Sequence, residues 1–118
     1  MKTLFIDIRT SDLKGKPLDW AVALADCTFK LTIGDTDGLL YMPPCVLWQP
    51  STDWAQGGPK LQLHSITWDG QAATICKFVN GKYPKWTEYG STQLVAGMRC
   101  LVASIIGPVV NVPSCLLS

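Results

Sequence analysis

The stretch Ser91-Thr92-Gln93-Leu94-Val95-Ala96-Gly97-Met98-Arg99-Cys100-Leu101-Val102-Ala103-Ser104-Ile105-Ile106-Gly107-Pro108 decides the fold class. Leu94, Val95, Met98, Leu101, Val102 and Ile105 recur at three- and four-residue spacing, the period of a helix with one buried face. Ser91 or Thr92 offers an N-cap, and Gly107-Pro108 stops the helix. A helix over Thr92–Ile106 follows, with Arg99 as its single charge. So apolar a helix needs a sheet or another helix to cover it.

The rest of the chain supplies that cover. Leu4–Ile8 has strand character. Pro17–Asp26 reads as a second helix, with Pro17 in its first turn and Leu18, Ala21, Val22 and Ala25 on one face. Phe29, Leu31 and Ile33 alternate with polar residues, Gly34–Gly38 turns, and Leu39–Met42 returns, as in a hairpin. Ser51–Pro59 reads as a long irregular loop, and Leu61, Leu63, Ile66 and Trp68 as the next strand. Asp69-Gly70 is a hairpin turn leading into Ala72–Val79, and Asn80-Gly81 marks another turn. Val109–Leu117 is an extended apolar tail that packs on the sheet or on a second subunit. The expectation is one α+β domain over residues 1–118: a mostly antiparallel sheet with two helices, α-β-α sandwich-like.

Composition narrows the function classes. The chain has 118 residues, enough for one core, and charged residues are only 16% of it. So little charge predicts apolar surface hidden in a homo-oligomer. The net charge is +1 and the lysines are scattered, with Lys14, Lys16, Lys82 and Lys85 in turns. A nucleic-acid partner is disfavoured on that ground, with a local patch left open. Five cysteines lack C-x-x-C spacing and His64 is the only histidine. No zinc site or cofactor is expected, and the thiols read as buried and reduced. Met1–Asp7 lacks the apolar stretch of a secretory leader, and Cys100–Ser118 is broken by Pro108 and Pro113, so no membrane role is expected.

No phosphate loop, nucleophile elbow or dinucleotide fingerprint is present. Asp35 and Asp37 fit a turn better than a calcium loop, which needs more oxygen ligands. The Ser51–Pro59 segment is the least ordinary. It combines Ser51, Thr52, Asp53, Trp54, Gln56, Gly57 and Gly58. Glycines admit a ligand to the backbone, and Trp stacks on flat rings. The other reading makes Ser51/Asp53 a turn and Trp54 a core plug. Arg99 either pairs with Asp19 or Asp53, or forks onto a phosphate or carboxylate.

Three blocks carry a resemblance: Leu18-Asp19-Trp20-Ala21-Val22-Ala23, Pro50-Ser51-Thr52-Asp53-Trp54-Ala55-Gln56-Gly57-Gly58-Pro59, and Gly97-Met98-Arg99-Cys100-Leu101-Val102-Ala103-Ser104. In order and spacing the chain resembles the NinX-like family of phage proteins, from about Thr10 to Pro113. Gln93 stands where that family commonly has proline, and the apolar Val109–Leu117 replaces its acidic tail. The resemblance implies a phage origin, an α-β-α sandwich-type fold and a place in the host cytoplasm. It supplies no activity.

The expected function is binding without catalysis. The leading reading is a sponge for a host nucleotide-derived immune signal, a cyclic oligonucleotide or ADP-ribose derivative, serving anti-defence. Its expected ligand-binding residues are Asp19, Trp20, Ser51, Thr52, Asp53, Trp54, Gly57, Gly58 and Arg99. Trp54 or Trp20 would stack on the base, while the Gly57 and Gly58 amides and Arg99 hold phosphate. The alternative is a protein-interaction module that inhibits a host enzyme. A phosphodiesterase using Asp53 and His64 ranks third.

Overall fold

The computed structural model describes residues 4–26 and 30–117. Phe29 of the expected first hairpin strand, and Cys27, lie outside them. Strand β1 (Phe5–Arg9) leads through a 3-10 turn to helix α1 (Gly15–Asp26). Three short strands follow: β2 (Thr32–Ile33), β3 (Leu40–Met42) and β4 (Val46–Leu47). Helix α2 (Trp54–Gln62) precedes β5 (Ile66–Asp69), β6 (Ala72–Cys76) and β7 (Lys85–Tyr89). Helix α3 (Gln93–Ile105) and β8 (Val109–Pro113) close the order, with a last 3-10 turn over Ser114–Leu117.

This is an α+β architecture that corrects the expectation of two helices around one sheet. Among the described residues there are three helices and three separate antiparallel sheets, ordered β1-β8, β2-β3-β4 and β5-β6-β7. The extra helix is α2. Asp53 caps it, its carboxylate accepting the Ala55 N–H at 2.9 Å. Leu61, expected in a strand, is buried on the helix's inner side, and Leu63 just beyond it is 79% exposed. The period-two reading of Leu61 and Leu63 therefore fails, because they do not share a face.

Helix α3 is the axis of the core. Leu94, Ala96, Met98, Cys100, Leu101 and Val102 are buried, and the Thr92 hydroxyl accepts the Val95 N–H at 3.1 Å. One side of α3 packs on β6 and β7, and other sides meet α1 and α2. Strand β6 shows why this works: Ala73 and Ile75 are fully buried, while Ala72, Thr74 and Cys76 alternate with them. The expected apolar tail is strand β8, in register with β1 from Arg9↔Val109 to Phe5↔Pro113. Val110 and Val112 face the core, and Val109 faces out. Deleting core volume should be costly: Leu101→Ala is expected to lower stability by about 3 kcal/mol in a denaturant titration.

The thiols differ from the expectation. Cys100 is buried, Cys76 is partly buried, and Cys45 and Cys115 are exposed. Burial pushes the Cys100 thiol up to about 11, and that thiol donates to the Trp86 carbonyl at 2.9 Å. Asp37 is a turn residue as expected: Tyr41 Oη donates to it at 2.6 Å and the Leu39 N–H at 2.9 Å. These donors hold its carboxyl below its ordinary value.

Candidate functional site: an aromatic groove beside a buried clamp

The first two motif blocks meet in space, and their meeting is structural. Asp19 on α1 is only 4% exposed. Its carboxylate accepts the Ser51 N–H at 2.8 Å, and its main-chain carbonyl accepts the Trp48 indole N–H at 2.8 Å. One residue thus fixes both ends of the Trp48–Ser51 turn to α1. Burial pushes the Asp19 carboxyl up to about 6, against the lowering influence of the Ser51 side chain and N–H. The Ser51 hydroxyl lies near enough to act on that charge, yet its buried oxygen completes no well-formed hydrogen bond. Gln56 strengthens the turn, accepting the Gln49 N–H at 2.7 Å and donating to the Leu47 carbonyl at 2.7 Å.

That turn delivers Asp53 to the start of α2 and Trp54 to the surface. Trp54 is 53% exposed. Its ring centroid lies 6.4 Å from that of Trp68 on β5, the planes tilted by 57°. Both rings line an open groove of about 530 Å³, bounded also by Gly58, Pro59, Gln62 and Ile66 among others, with no charged side chain on its walls.

The nine residues expected to bind ligand therefore separate into groups. Asp19 and Ser51 form the buried clamp, and Asp53 is spent on the helix cap. Thr52 is exposed, its hydroxyl donating to the Gln49 carbonyl at 3.4 Å. Trp20 packs half-buried against the core, its indole nitrogen buried without a hydrogen-bond partner. Only Trp54 and Gly58 line the groove. Gly57 is buried and donates its N–H to the Asp53 carbonyl at 2.9 Å, and the Gly58 N–H lies within the helical ladder. Neither amide is open to a phosphate.

Arg99 pairs with neither Asp19 nor Asp53. Its Nε donates to the Leu13 carbonyl at 2.7 Å, and one terminal nitrogen donates to the Tyr89 carbonyl at 2.6 Å. The guanidinium fork ties the segment before α1 to the end of β7. Burial raises the Glu88 carboxyl, partly offset by the Arg99 charge. Arg99→Lys keeps the charge but reaches two diverging carbonyls poorly, so a loss of about 1 kcal/mol is expected by thermal melting.

His64 lies with Asp26 and Lys60 instead of Asp53. His64 Nε2 is 3.5 Å and Lys60 Nζ 3.7 Å from Asp26 Oδ2, a cluster joining the ends of α1 and α2. The length of α2, roughly 14 Å, separates His64 from Asp53, so the proposed phosphodiesterase pair is not assembled. Among the described residues, no cluster of three or more His, Cys, Asp or Glu side chains could hold a metal ion. Trp68 is the aromatic groove residue that sequence reading left out of the site, along with Pro59, Leu61, Gln62, Ser65 and Ile66. Its signal was its place in a strand beside a turn, which does not reveal a partner on another element.

The family model described as Bacteriophage P22, NinX matches residues 9–105, which takes in the clamp, α2, the groove and α3. The chain belongs to the NinX family. No curated protein matches it. As a NinX-family member it is a phage protein, and the family match spans the Asp19–Ser51 clamp and the Trp54 groove together. Among the described residues, no helix is long and apolar enough to cross a membrane.

Proposed function

We propose that this NinX-family chain is a phage accessory protein that acts in the host cytoplasm by binding, without catalysis. Its groove docks an apolar or aromatic anchor carried by a host protein. The observation that supports this is the exposed Trp54, set over Trp68 in a groove with no charge on its walls. Half-exposed tryptophans in clefts are the usual anchors of protein interfaces. A polyanion would gain nothing electrostatic there. Homo-oligomer formation belongs to the same reading, since Leu4, Phe5 and Val109 leave apolar surface on the β1–β8 ribbon.

Sequestration of a nucleotide-derived immune signal is the second reading. One observation favours it: the exposed ring of Trp54 offers a face on which a flat base could stack. Against it, Gly57, Gly58 and Arg99 are committed elsewhere. Two experiments separate the readings. Affinity capture from host lysate should retain a specific protein that Trp54→Ala loses, while circular dichroism stays unchanged because Trp54 is exposed. Isothermal titration against cyclic oligonucleotides and ADP-ribose derivatives should then give no heat. A nucleotide that binds the folded protein and is lost on Trp54→Ala would transfer the groove to the second reading. Retention of the same host protein by Trp54→Ala would remove the groove from either role.

A further inference from the structure

The hairpin turns decide which main-chain groups each strand of β5-β6-β7 spends on its neighbour. Val79 and Lys82 exchange N–H···O bonds of 2.8 and 3.0 Å across Asn80-Gly81, and the Lys77 N–H donates to the Pro84 carbonyl at 3.1 Å. Antiparallel pairs alternate between bonded and non-bonded, so Ile75 and Ala73 also turn their main-chain groups to β7. Ala72 and Thr74 therefore turn theirs to Asp69 and Thr67 of β5, as the two-residue Gly70-Gln71 loop requires. Ile66 and Trp68 are left with their N–H and C=O groups on the outer edge of β5. Among the described residues, nothing from outside the sheet bonds to that edge.

The edge borders the groove. Ile66 and Trp68 line it from the sheet, and Trp54, Gly58, Pro59 and Gln62 line it from α2. The side chains of Ile66 and Trp68 point to the α3 side, against the core. Gly97 makes room for the Trp68 ring: a Cβ there would lie 2.8 Å from Trp68 Cη2. Thr67 and Asp69 point to the opposite face and are exposed. Asp69 has no ion-pair partner among the described residues.

The other edges are guarded. The Thr10 N–H to Pro108 and Ser114 N–H to Leu4 bonds fix the alternation of β1 and β8. Strand β1 thus turns the main chain of Phe5, Asp7 and Arg9 outward, and two of these are charged. On β8 the outward residues include Pro113, which has no N–H. Strand β7 presents Lys85, and Arg99 already occupies its Tyr89 carbonyl. Charge and proline on an edge deter strand addition. Strands β2 and β4 are two residues long. Only β5 opens an apolar, unoccupied pair of edge residues onto a groove.

We propose that the partner's anchor arrives on an extended segment that adds to the edge of β5 as a further strand. This rests on the groove being a docking site. Main-chain bonds to Ile66 and Trp68 supply affinity, and alternate side chains supply specificity. One row of the incoming strand lies in the uncharged groove and is apolar. The other row lies beside Thr67 and Asp69, where the unpaired carboxylate selects a lysine or arginine.

The test uses a fluorescently labelled peptide with that alternation, acetyl-Thr-Val-Lys-Phe-Lys-Val-Thr-amide, titrated with the intact protein by anisotropy. Its palindromic order places a lysine beside Asp69 in either strand direction. Saturable binding is expected, weakened roughly tenfold by Trp54→Ala. Successive amides of a strand face opposite edges, so N-methylation at Phe and at the following Lys should differ. One should weaken binding roughly tenfold and the other should leave it nearly unchanged. Asp69→Lys should weaken binding about threefold, and glutamates in place of the peptide lysines should restore it. Binding that needs Trp54 but ignores both methylations overturns strand addition and leaves the groove reading standing. So does no binding to the folded protein, when capture of a host protein is still lost on Trp54→Ala. Peptide binding indifferent to Trp54→Ala places the strand elsewhere and overturns the proposal. Retention of the host protein by Trp54→Ala overturns both.

Discussion

Gly57→Ala is expected to destabilise the protein by about 2–3 kcal/mol, whereas Gly58→Ala is expected to be neutral or to stabilise it by up to about 1 kcal/mol. The two glycines are neighbours in α2, and their surroundings are opposite. A Cβ on Gly57 would run into the Pro50 carbonyl oxygen and the Leu94 Cδ1, at 2.8 Å from the latter. Pro50 is main chain held by the clamped turn, so it cannot swing aside as a side chain would. A Cβ on Gly58 would meet only Trp54 Cε3 at 3.5 Å, an ordinary contact. There the substitution simply replaces a poor helix former with the best one. Chemical denaturation of the two single variants checks the pair. Equal destabilisation would mean that α2 does not approach Pro50 as described.

Asp19 carries the second large effect, and its sign depends on the replacement. Its carboxyl titrates near 6 in the folded protein, above its ordinary 3.8. A raised value means the folded state prefers the neutral form. The stability from this group is complete below about pH 4 and is lost as pH rises through about 6. At pH 7 the buried charge costs roughly 3 kcal/mol relative to the neutral acid. Asp19→Asn keeps an oxygen for the Ser51 N–H and adds a donor beside the unsatisfied Ser51 hydroxyl. The asparagine variant should be at least as stable as the parent at pH 7. The difference between the two should shrink by about 1 kcal/mol on going to pH 5. Asp19→Ala removes the acceptor and leaves a buried N–H unpaired, so a loss of about 2 kcal/mol is expected at pH 5, where the parent carboxyl is largely neutral. Melting curves of the three proteins at pH 5 and 7 decide it. A parallel pH response of parent and Asp19→Asn would show that Asp19 is not the titrating group.

The sequence makes α3 plain because every level agrees there: the Thr92 cap, the apolar period, and Gly107-Pro108 at the end. Helix α2 is hidden by conflict between levels. Gly57, Gly58 and Pro59 are helix breakers by propensity, and they outweighed the Asp53 cap that announces the helix. What overrides propensity is tertiary: the close approach to Pro50, the burial of Leu61 and the two Gln56 bonds. The same limit governs the site. That Asp19, Ser51 and Trp54 belong together was legible from the motif blocks, but not which were clamp and which were surface. Arg99 was legible as unusual, yet main-chain carbonyls as its partners leave no trace in residue types.

A helix made of such residues has little life of its own. Two glycines and a proline in α2 sacrifice about 5 kcal/mol of intrinsic helicity relative to alanine. Helix α2 therefore persists only while it stays docked, and it should be among the first parts of the molecule to open locally. Its amides should exchange with solvent deuterium well before those of α3. Trp54 rides on that segment, so the groove exists only in the closed population. Whatever occupies the groove draws that population up and slows the exchange of α2, a signature visible even when the occupant is unknown.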